Sequence, residues 1–328
     1  MVLRDNASTR MLYPALYGNA AVKDPFKFVP ADAGDVSVNS GINLLKLYQS
    51  AMQFTKENIP DAEAALAEWA AQQEAMELNI ESDVLSWING KIVTFSIPGP
   101  TPYSPAEGVF MLAVSDEKKA AAMLDKLFEA VAPFAEQQQA VITGLDKEGL
   151  TGFRSISHPM VIMLGMKEPT IGVRDGYLML GASPKIIQKA LDTAAGKNPN
   201  FSTNERYKKE GMPVSSNVVA FSFTDMTHMG EQMGQAFKMA PMIANMMGGG
   251  AQEPPVKAML SIMSKVGNVF EKLDFFLSEC SVSTFDGKAQ VTKAIVNYRE
   301  PPSKTTSESG KSEKPAQSDS PAKPEKKE

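Results

Sequence analysis

The sequence is poor in cysteine and histidine, and this shortage excludes or disfavours several kinds of site. Cys280 is the only cysteine among 328 residues, so the chain forms no internal disulfide bond and no cysteine-rich zinc site. His158 and His228 are the only histidines, and no Gly-x-Ser-x-Gly nucleophile pattern is present. A Ser-His-Asp arrangement is therefore disfavoured, and we predict no cofactor.

Long apolar runs and concentrated positive charge are missing as well. No uninterrupted apolar run reaches the roughly 18–20 residues of a membrane-spanning helix, so no transmembrane segment is predicted in this chain. The formal net charge is −5, and no basic stripe with interleaved aromatic residues argues for nucleic acid as a partner. The first residues lack the apolar core of a signal peptide. Residues 11–18 read like the interior of a longer protein, and we expect a truncated or misplaced start.

The composition predicts three segments. Residues 1–30 are interrupted by Pro14, Gly18, Pro25 and Pro30, which favours an extended lead-in. Residues 31–300 carry the periodic apolar patterns and are expected to form an α+β domain, either as one unit or as two halves, 31–200 and 201–300. Residues 301–328 consist mainly of Pro, Ser, Lys, Glu and Ala without an aromatic residue, which predicts a disordered tail.

The stretch from Gly172 to Leu191 gives the clearest local prediction. Asp175-Gly176 lies between two apolar runs, as in a two-residue type I′ hairpin turn, where positive φ angles favour glycine. The strand that follows leads into Ser183, which is a typical N-cap residue. Pro184 then occupies the first helical position, where its missing N–H costs nothing. The sequence therefore predicts a hairpin, a strand, a cap and a helix in direct succession.

The same strand, cap and helix succession recurs. Residues 111–123 align with residues 179–191 without a gap, with Ser115 in the place of Ser183. Thr224 follows a third strand, and a weaker copy runs through Val36 with a cap at Asn39 or Ser40. Both an internal duplication and a chance recurrence of a common joint fit this pattern. We predict an α+β fold, an antiparallel sheet with helices packed on one face, built from repeated strand-cap-helix units.

Alternation and turn residues predict the remaining elements. Helices are expected from about residues 40 and 61 and over 116–134, with a short helical turn over 82–88. Strands are expected over 91–97, 107–114, 140–145, 151–157, 160–164, 218–223, 274–285 and 288–298, the last two joined by Asp286-Gly287.

Five local motifs, taken in order, resemble a bacterial family that is catalogued as a domain of unknown function. They are the turn 83–91, the strand end at Ser115-Asp116, Gly152 in Thr-Gly-Phe-Arg, the hairpin 175–183, and Thr224-Asp225. The resemblance covers about residues 26–300 and implies no catalytic residues. It does imply an exported or envelope-associated protein, although family members typically begin with a signal or a membrane anchor and this chain does not. The compartment is therefore left open, with the periplasm or envelope as the expectation.

Methionine is the unusual component of the sequence. Nine of the 20 methionines lie between residues 226 and 263. The spacing 226/229/233 repeats as 239/242/246, which places each set on one face of a helix. The candidate apolar contact surface consists of Met226, Met229, Met233, Met239, Met242 and Met246. Gly230 and Gly234 should let another element approach closely, and a second helix is expected with its residues Val256, Met259, Leu260, Met263 and Phe270 facing inward.

Three interpretations of this helical hairpin stay open. Methionine fills irregular gaps, so the residues suit a core. Methionine-rich surfaces also adapt to a lipid, a peptide or a protein partner. Thioethers bind Cu(I), and His228 is the nearest nitrogen donor. We predict a non-enzymatic binding or scaffolding module of the bacterial cell envelope with this hairpin as its contact surface. The alternatives are a copper-binding protein and a carboxylate-dependent hydrolase using residues such as Asp116 and Asp225.

Overall fold

The computed structural model describes residues 21–40, 42–75, 77–101, 104–159, 167–246, 254–272, 275–285 and 290–299, and within helices the side chains of residues 240–255 are not described. The strands are β1 (Asp35–Asn39), β2 (Ile88–Ile97), β3 (Glu107–Val114), β4 (Val141–Gly144), β5 (Phe153–Ser157), β6 (Thr170–Arg174), β7 (Tyr177–Gly181), β8 (Val218–Asp225), β9 (Phe276–Phe285) and β10 (Gln290–Tyr298). The helices are α1 (Leu44–Asn58), α2 (Ala62–Ala75), α3 (Glu117–Gln137), α4 (Pro184–Ala194), α5 (Glu205–Glu210), α6 (Met229–Met246) and α7 (Pro254–Phe270).

All ten strands belong to one antiparallel sheet, which confirms the predicted α+β class. The strand order is β10-β9-β8-β1-β2-β3-β7-β6-β5-β4. The short strand β1 lies near the middle, where Ser37 faces Ser222 of β8 and Thr94 of β2. The sheet is therefore closed around a pairing between two strands that are far apart in sequence, and β10 and β4 form its edges.

The main core lies on the face of the sheet that we call the first face. Val38, Phe95, Met111 and Phe223 point into it from neighbouring strands, and each is at most 3% exposed. Helix α4 packs against this core because its apolar residues recur every three to four positions, which buries Ile186, Ile187, Ala190 and Leu191. Phe201 and Tyr207 close the core beside it with stacked rings 5.1 Å apart.

The second face of the sheet carries α3, whereas the sequence predicted helices on one face. Leu178 is adjacent to the first-face residue Met179 and therefore points to the opposite side, where it packs with Ala120 of α3 and Trp87. The reason lies in β3 and β7, which present apolar residues on both faces. Both faces consequently need a helical cover, and the alternation of either strand alone does not indicate this.

The chain contains a repeated succession of elements that differs from the predicted one. The unit β1-α1-α2-β2-β3 has the same order as β8-α6-α7-β9-β10, and each unit consists of a strand, a helical hairpin and two antiparallel strands. Each hairpin begins seven residues after the serine at the middle of the β1–β8 pair, Ser37 or Ser222. By contrast, the aligned segments 111–123 and 179–191 start in paired strands and send their helices to opposite faces.

The predicted caps were right at one position and wrong at three. Ser183 accepts a hydrogen bond from the N–H of Ile186, as expected. At β3 the cap is Asp116, which accepts from the N–H of Lys119, whereas Ser115 donates its hydroxyl hydrogen to the Trp87 carbonyl. Helix α1 is capped by Asn43 and not by Asn39 or Ser40. Thr224 belongs to β8, which runs to Asp225.

The described part of the predicted lead-in contributes to the core. Val22, Phe26, Phe28 and Val29 are buried, and the Phe26 ring lies 5.3 Å from that of Phe201. The predicted strand 160–164 falls largely outside the described residues, as do the turn at Asp286-Gly287 and the tail 301–328. Among the described helices, none combines the length and the apolar character that crossing a membrane requires.

Candidate functional site

The helical hairpin α6–α7, which we call the arm, is attached to the sheet through a polar cluster at its base. Asp225, the last residue of β8, accepts hydrogen bonds from the Arg206 guanidinium at 2.6 Å and from the Thr227 N–H at 2.9 Å. Arg206 also contacts Glu210 at 3.2 Å, and Glu210 accepts from the Ser278 hydroxyl at 2.6 Å. This cluster joins α5, β8 and β9, so it fixes the point from which the arm extends.

Within the arm, two glycines allow the helix backbones to approach closely. A Cβ atom on Gly234 would lie 2.8 Å from the Gly267 carbonyl oxygen, and a Cβ on Gly267 would lie 2.8 Å from the Gly234 oxygen. The prediction for Gly234 is thus confirmed. One turn further along, the rings of Phe237 and Phe270 stack at 5.2 Å. The arm is therefore held together mainly by contacts between its own two helices.

Salt bridges and hydrogen bonds complete the arm. Lys238 on α6 donates to both carboxylate oxygens of Glu271, each at 2.6 Å. His228 lies 3.2 Å from a Glu231 oxygen at the exposed start of α6. Among the described residues, no three His, Cys, Asp or Glu side chains converge to form a metal site.

The six predicted methionines differ in their surroundings. Met226, Met229 and Met233 are half-buried, and Met239 is 45% exposed. Met242 and Met246 lie on α6, but their side chains fall outside the described part of the chain. The core and surface interpretations therefore each fit part of this set.

The most exposed apolar residues of the arm lie on α7. Met259, Ile262, Val266 and Val269 are 62%, 61%, 36% and 62% exposed, and their spacing of three and four residues places them on one side of the helix. We call them the α7 stripe. The prediction that Met259 faces inward is wrong, because Gly267 sets the side of α7 that contacts α6, and Met259 lies roughly 80° away from it around the helix.

Positive charge borders the α7 stripe. Lys265 and Lys272 are exposed and lie roughly 40–60° around the helix from Val269. Residues 254–270 contain no Asp or Glu. The sequence therefore does carry an indication of this surface, since α7 is apolar beyond the side needed for packing and its only charged residues are lysines.

The sheet also has a groove on its second face, across β8, β1, β2, β3 and β7. It has a volume of about 550 Å³ and is lined by Phe110 and Leu180 at one end and by serine and threonine residues at the other. Phe110 and Leu180 are 40% and 45% exposed. The hydroxyls of Ser96 and Ser222 are bonded within the chain, to Asp35 at 2.8 Å and to Ser281 at 2.7 Å. The groove is thus an apolar hollow beside a polar strip.

The carboxylates considered for hydrolysis do not lie together. Asp116 follows the end of β3 that pairs with Ile88, whereas Asp225 flanks Asp35 at the opposite end of the strands, where Asp35 pairs with Ser96. Asp116 caps α3, and Asp225 binds Arg206. Each carboxylate has a sufficient structural role, and the two do not form a pair.

Comparisons with known proteins identify one part of the chain. No curated protein and no solved structure gives a significant match. The matching region of the family comparison runs from the buried Val22 through β1–β4 and α1–α3, and thus includes the first strand, hairpin and strand-pair unit. The bacterial origin and the envelope association stay predictions. Residues 22–149 match the model of the family described as Protein of unknown function (DUF3352).

Proposed function

We propose that this chain is a non-enzymatic binding module that attaches to an anionic lipid surface through the α7 stripe. The observation that carries the proposal is the combination of four exposed apolar side chains with bordering lysines on one helix. Amphipathic helices of this kind lie in the plane of a membrane interface, with their apolar side among the acyl chains. The envelope expectation from the family resemblance is consistent with such a role.

The magnitudes favour a reversible attachment. Burying the exposed part of each stripe residue in the interface contributes about 1 kcal/mol, so the four side chains together contribute about 4 kcal/mol. Lys265 and Lys272 each add about 1 kcal/mol near anionic headgroups. The arm is joined to the sheet mainly at its base, so α7 can enter an interface without disturbing the core. The methionines of α6 would then adapt the arm to the lipid.

A second apolar stripe on α3 distinguishes this proposal from general stickiness. Leu127, Val131 and Phe134 are 51%, 40% and 63% exposed, which is similar to the α7 stripe. Helix α3, however, also carries acidic residues, namely Glu117, Asp125, Glu129 and Glu136. An anionic surface should therefore prefer α7 to α3.

Co-sedimentation of the purified full chain with extruded vesicles tests the proposal. We expect binding to vesicles of mixed phosphatidylglycerol and phosphatidylcholine, weaker binding to phosphatidylcholine alone, and a loss of affinity at high salt. The double change Ile262→Ser and Val269→Ser should weaken binding by about 20-fold or more, from a loss of about 2 kcal/mol. The matched control is Leu127→Ser with Phe134→Ser on α3, which should retain binding.

Two outcomes would count against a lipid surface. The wild-type chain fails to sediment with anionic vesicles, or the α3 control loses as much binding as the α7 variant. If instead a soluble protein partner requires Ile262 and Val269 while vesicles do not bind, the stripe is a protein contact. Circular dichroism of each variant shows whether the fold is retained.

A further inference from the structure

Strand β10 forms one edge of the sheet and exposes apolar side chains on both of its faces. Val291 and Ile295 on one face are 50% and 37% exposed, and Val296 and Tyr298 on the other are 38% and 56% exposed. Within the described ranges, no strand pairs with the outer side of β10. A nine-residue edge without proline and with Lys293 as its only charged residue lacks the usual protection against pairing with another chain.

The equivalent strand of the first repeated unit shows what this position accommodates. Strand β3 follows β2 as β10 follows β9, and β7 pairs antiparallel along its outer side. As a result Val109 and Met111 of β3 are only 3% and 0% exposed. The same architecture thus carries an additional antiparallel strand in one unit and an open edge in the other.

The hydrogen-bonding direction of β10 follows from its neighbours. Leu277 and Phe285 bond toward the β8 side, through the Leu277 carbonyl to Met226 and the Phe285 N–H to Asn217. In an antiparallel sheet the direction alternates along the strand, so the even-numbered residues of β9 bond to β10. Their partners are odd-numbered, as in the pair of Cys280 with Ile295. The N–H and C=O groups of Thr292, Ala294 and Val296 therefore point outward.

We propose that β10 pairs antiparallel with β10 of a second copy of this chain, about a two-fold axis at Ala294, and joins two ten-stranded sheets into one. The pairing is self-complementary, because Thr292 then faces Val296 of the partner subunit and Ala294 faces its own symmetry mate. Lys293 faces Ile295 of the partner subunit, so the two lysines are not directly opposed.

The sequence of the chain itself favours a second copy over a segment of the same chain. The residues that follow β10 begin with Pro301-Pro302, which cannot donate to a ladder, and residues 301–328 contain no aromatic residue, valine or isoleucine. A second β10 supplies the matching apolar side chains on both faces. An edge-to-edge contact of this kind is isologous, and it closes at two subunits.

Mass photometry or light scattering during size-exclusion chromatography, at micromolar concentration, tests the pairing. The wild-type chain is expected to be a dimer. Ala294→Pro removes one outward N–H and leaves the bonds to β9 in place, and it is expected to give a monomer with an unchanged circular dichroism spectrum. Ala294→Thr keeps the N–H and should remain a dimer. A monomeric wild type, or a dimer that persists in Ala294→Pro, overturns the proposal.

A charge-pair experiment tests the register and does not depend on proline. Thr292→Lys combined with Val296→Lys places like charges opposite each other at both ends of the pairing, and the dimer dissociation constant should rise by about tenfold or more. Thr292→Glu combined with Val296→Lys places opposite charges there and should preserve the dimer. Equal dimer affinities for the two double variants would contradict the register, and with it the proposal.

Discussion

Gly267→Ala is the most informative single change in the arm, because intrinsic helix propensity and packing predict opposite effects. Alanine is favoured over glycine inside a helix by about 1 kcal/mol. The new Cβ, however, would lie 2.8 Å from the Gly234 carbonyl oxygen and 3.2 Å from the Cβ of Phe237. A carbon atom does not approach a backbone oxygen so closely, so the two helices must separate by several tenths of an ångström.

The packing effect should be the larger one. Overpacking of this kind costs about 1–3 kcal/mol, and separation also weakens the contact between Phe237 and Phe270. The net result is a destabilisation of the arm by about 1 kcal/mol. Asn268→Ala is the matched control on the exposed side of α7, where helix propensity acts alone and stability should rise by a few tenths of a kcal/mol.

Hydrogen exchange measured by mass spectrometry is the appropriate assay, because the arm can open without global unfolding. Peptides from residues 229–270 of Gly267→Ala should exchange about five- to tenfold faster than those of the wild type, whereas peptides from β1–β3 should not change. Unchanged or increased protection in the arm would refute the close approach of the two glycines. Faster exchange throughout the chain would refute the local character of the arm.

Two further predictions concern the core face of the sheet. Ser183→Ala removes the cap of α4 and a hydrogen bond of 2.8 Å to Glu107, so the free energy of unfolding should fall by about 1–2 kcal/mol in urea titrations; a change within error would contradict the cap. Burial raises the pKa of Tyr207 to about 12, and its hydroxyl donates to the Met212 carbonyl at 2.9 Å. Because the folded-state pKa lies above the unfolded value, the contribution of Tyr207 is fully present below pH 10 and is lost as the pH rises toward 12. Tyr207→Phe should therefore flatten the decline of stability over this window, and an identical decline would contradict the shift.

The parts of the fold that follow from neighbouring residues were predictable from sequence. The turn at Asp175-Gly176 has φ angles of 53° and 80°, as a type I′ turn requires, and Ser183 and Pro184 begin α4 as expected. Where two adjacent residues both suit a cap, as at Ser115 and Asp116, sequence alone does not choose between them. The choice is made by Trp87, whose carbonyl binds the Ser115 hydroxyl from a distant part of the chain.

The parts that depend on long-range pairing were not predictable. The alternation in β1 does not reveal that Ser37 lies between Ser222 and Thr94, because either neighbour is more than 50 residues away in sequence. The direction of Met259 was missed for a related reason. Helix α7 has apolar residues on two sides, and only the contact between Gly234 and Gly267 determines which side is buried.

The most direct test of the lipid-surface proposal is to measure the polarity around the α7 stripe in the presence of vesicles. Ile262→Cys and, as a control on the polar side of α7, Asn268→Cys are labelled with an environment-sensitive fluorophore. Cys280 is 0% exposed, and burial raises the pKa of its thiol, so it does not compete for the label. With phosphatidylglycerol vesicles we expect a blue shift and quenching by spin-labelled lipid at position 262, and little change at position 268. An unchanged spectrum at position 262, or equal shifts at both positions, would contradict the proposal.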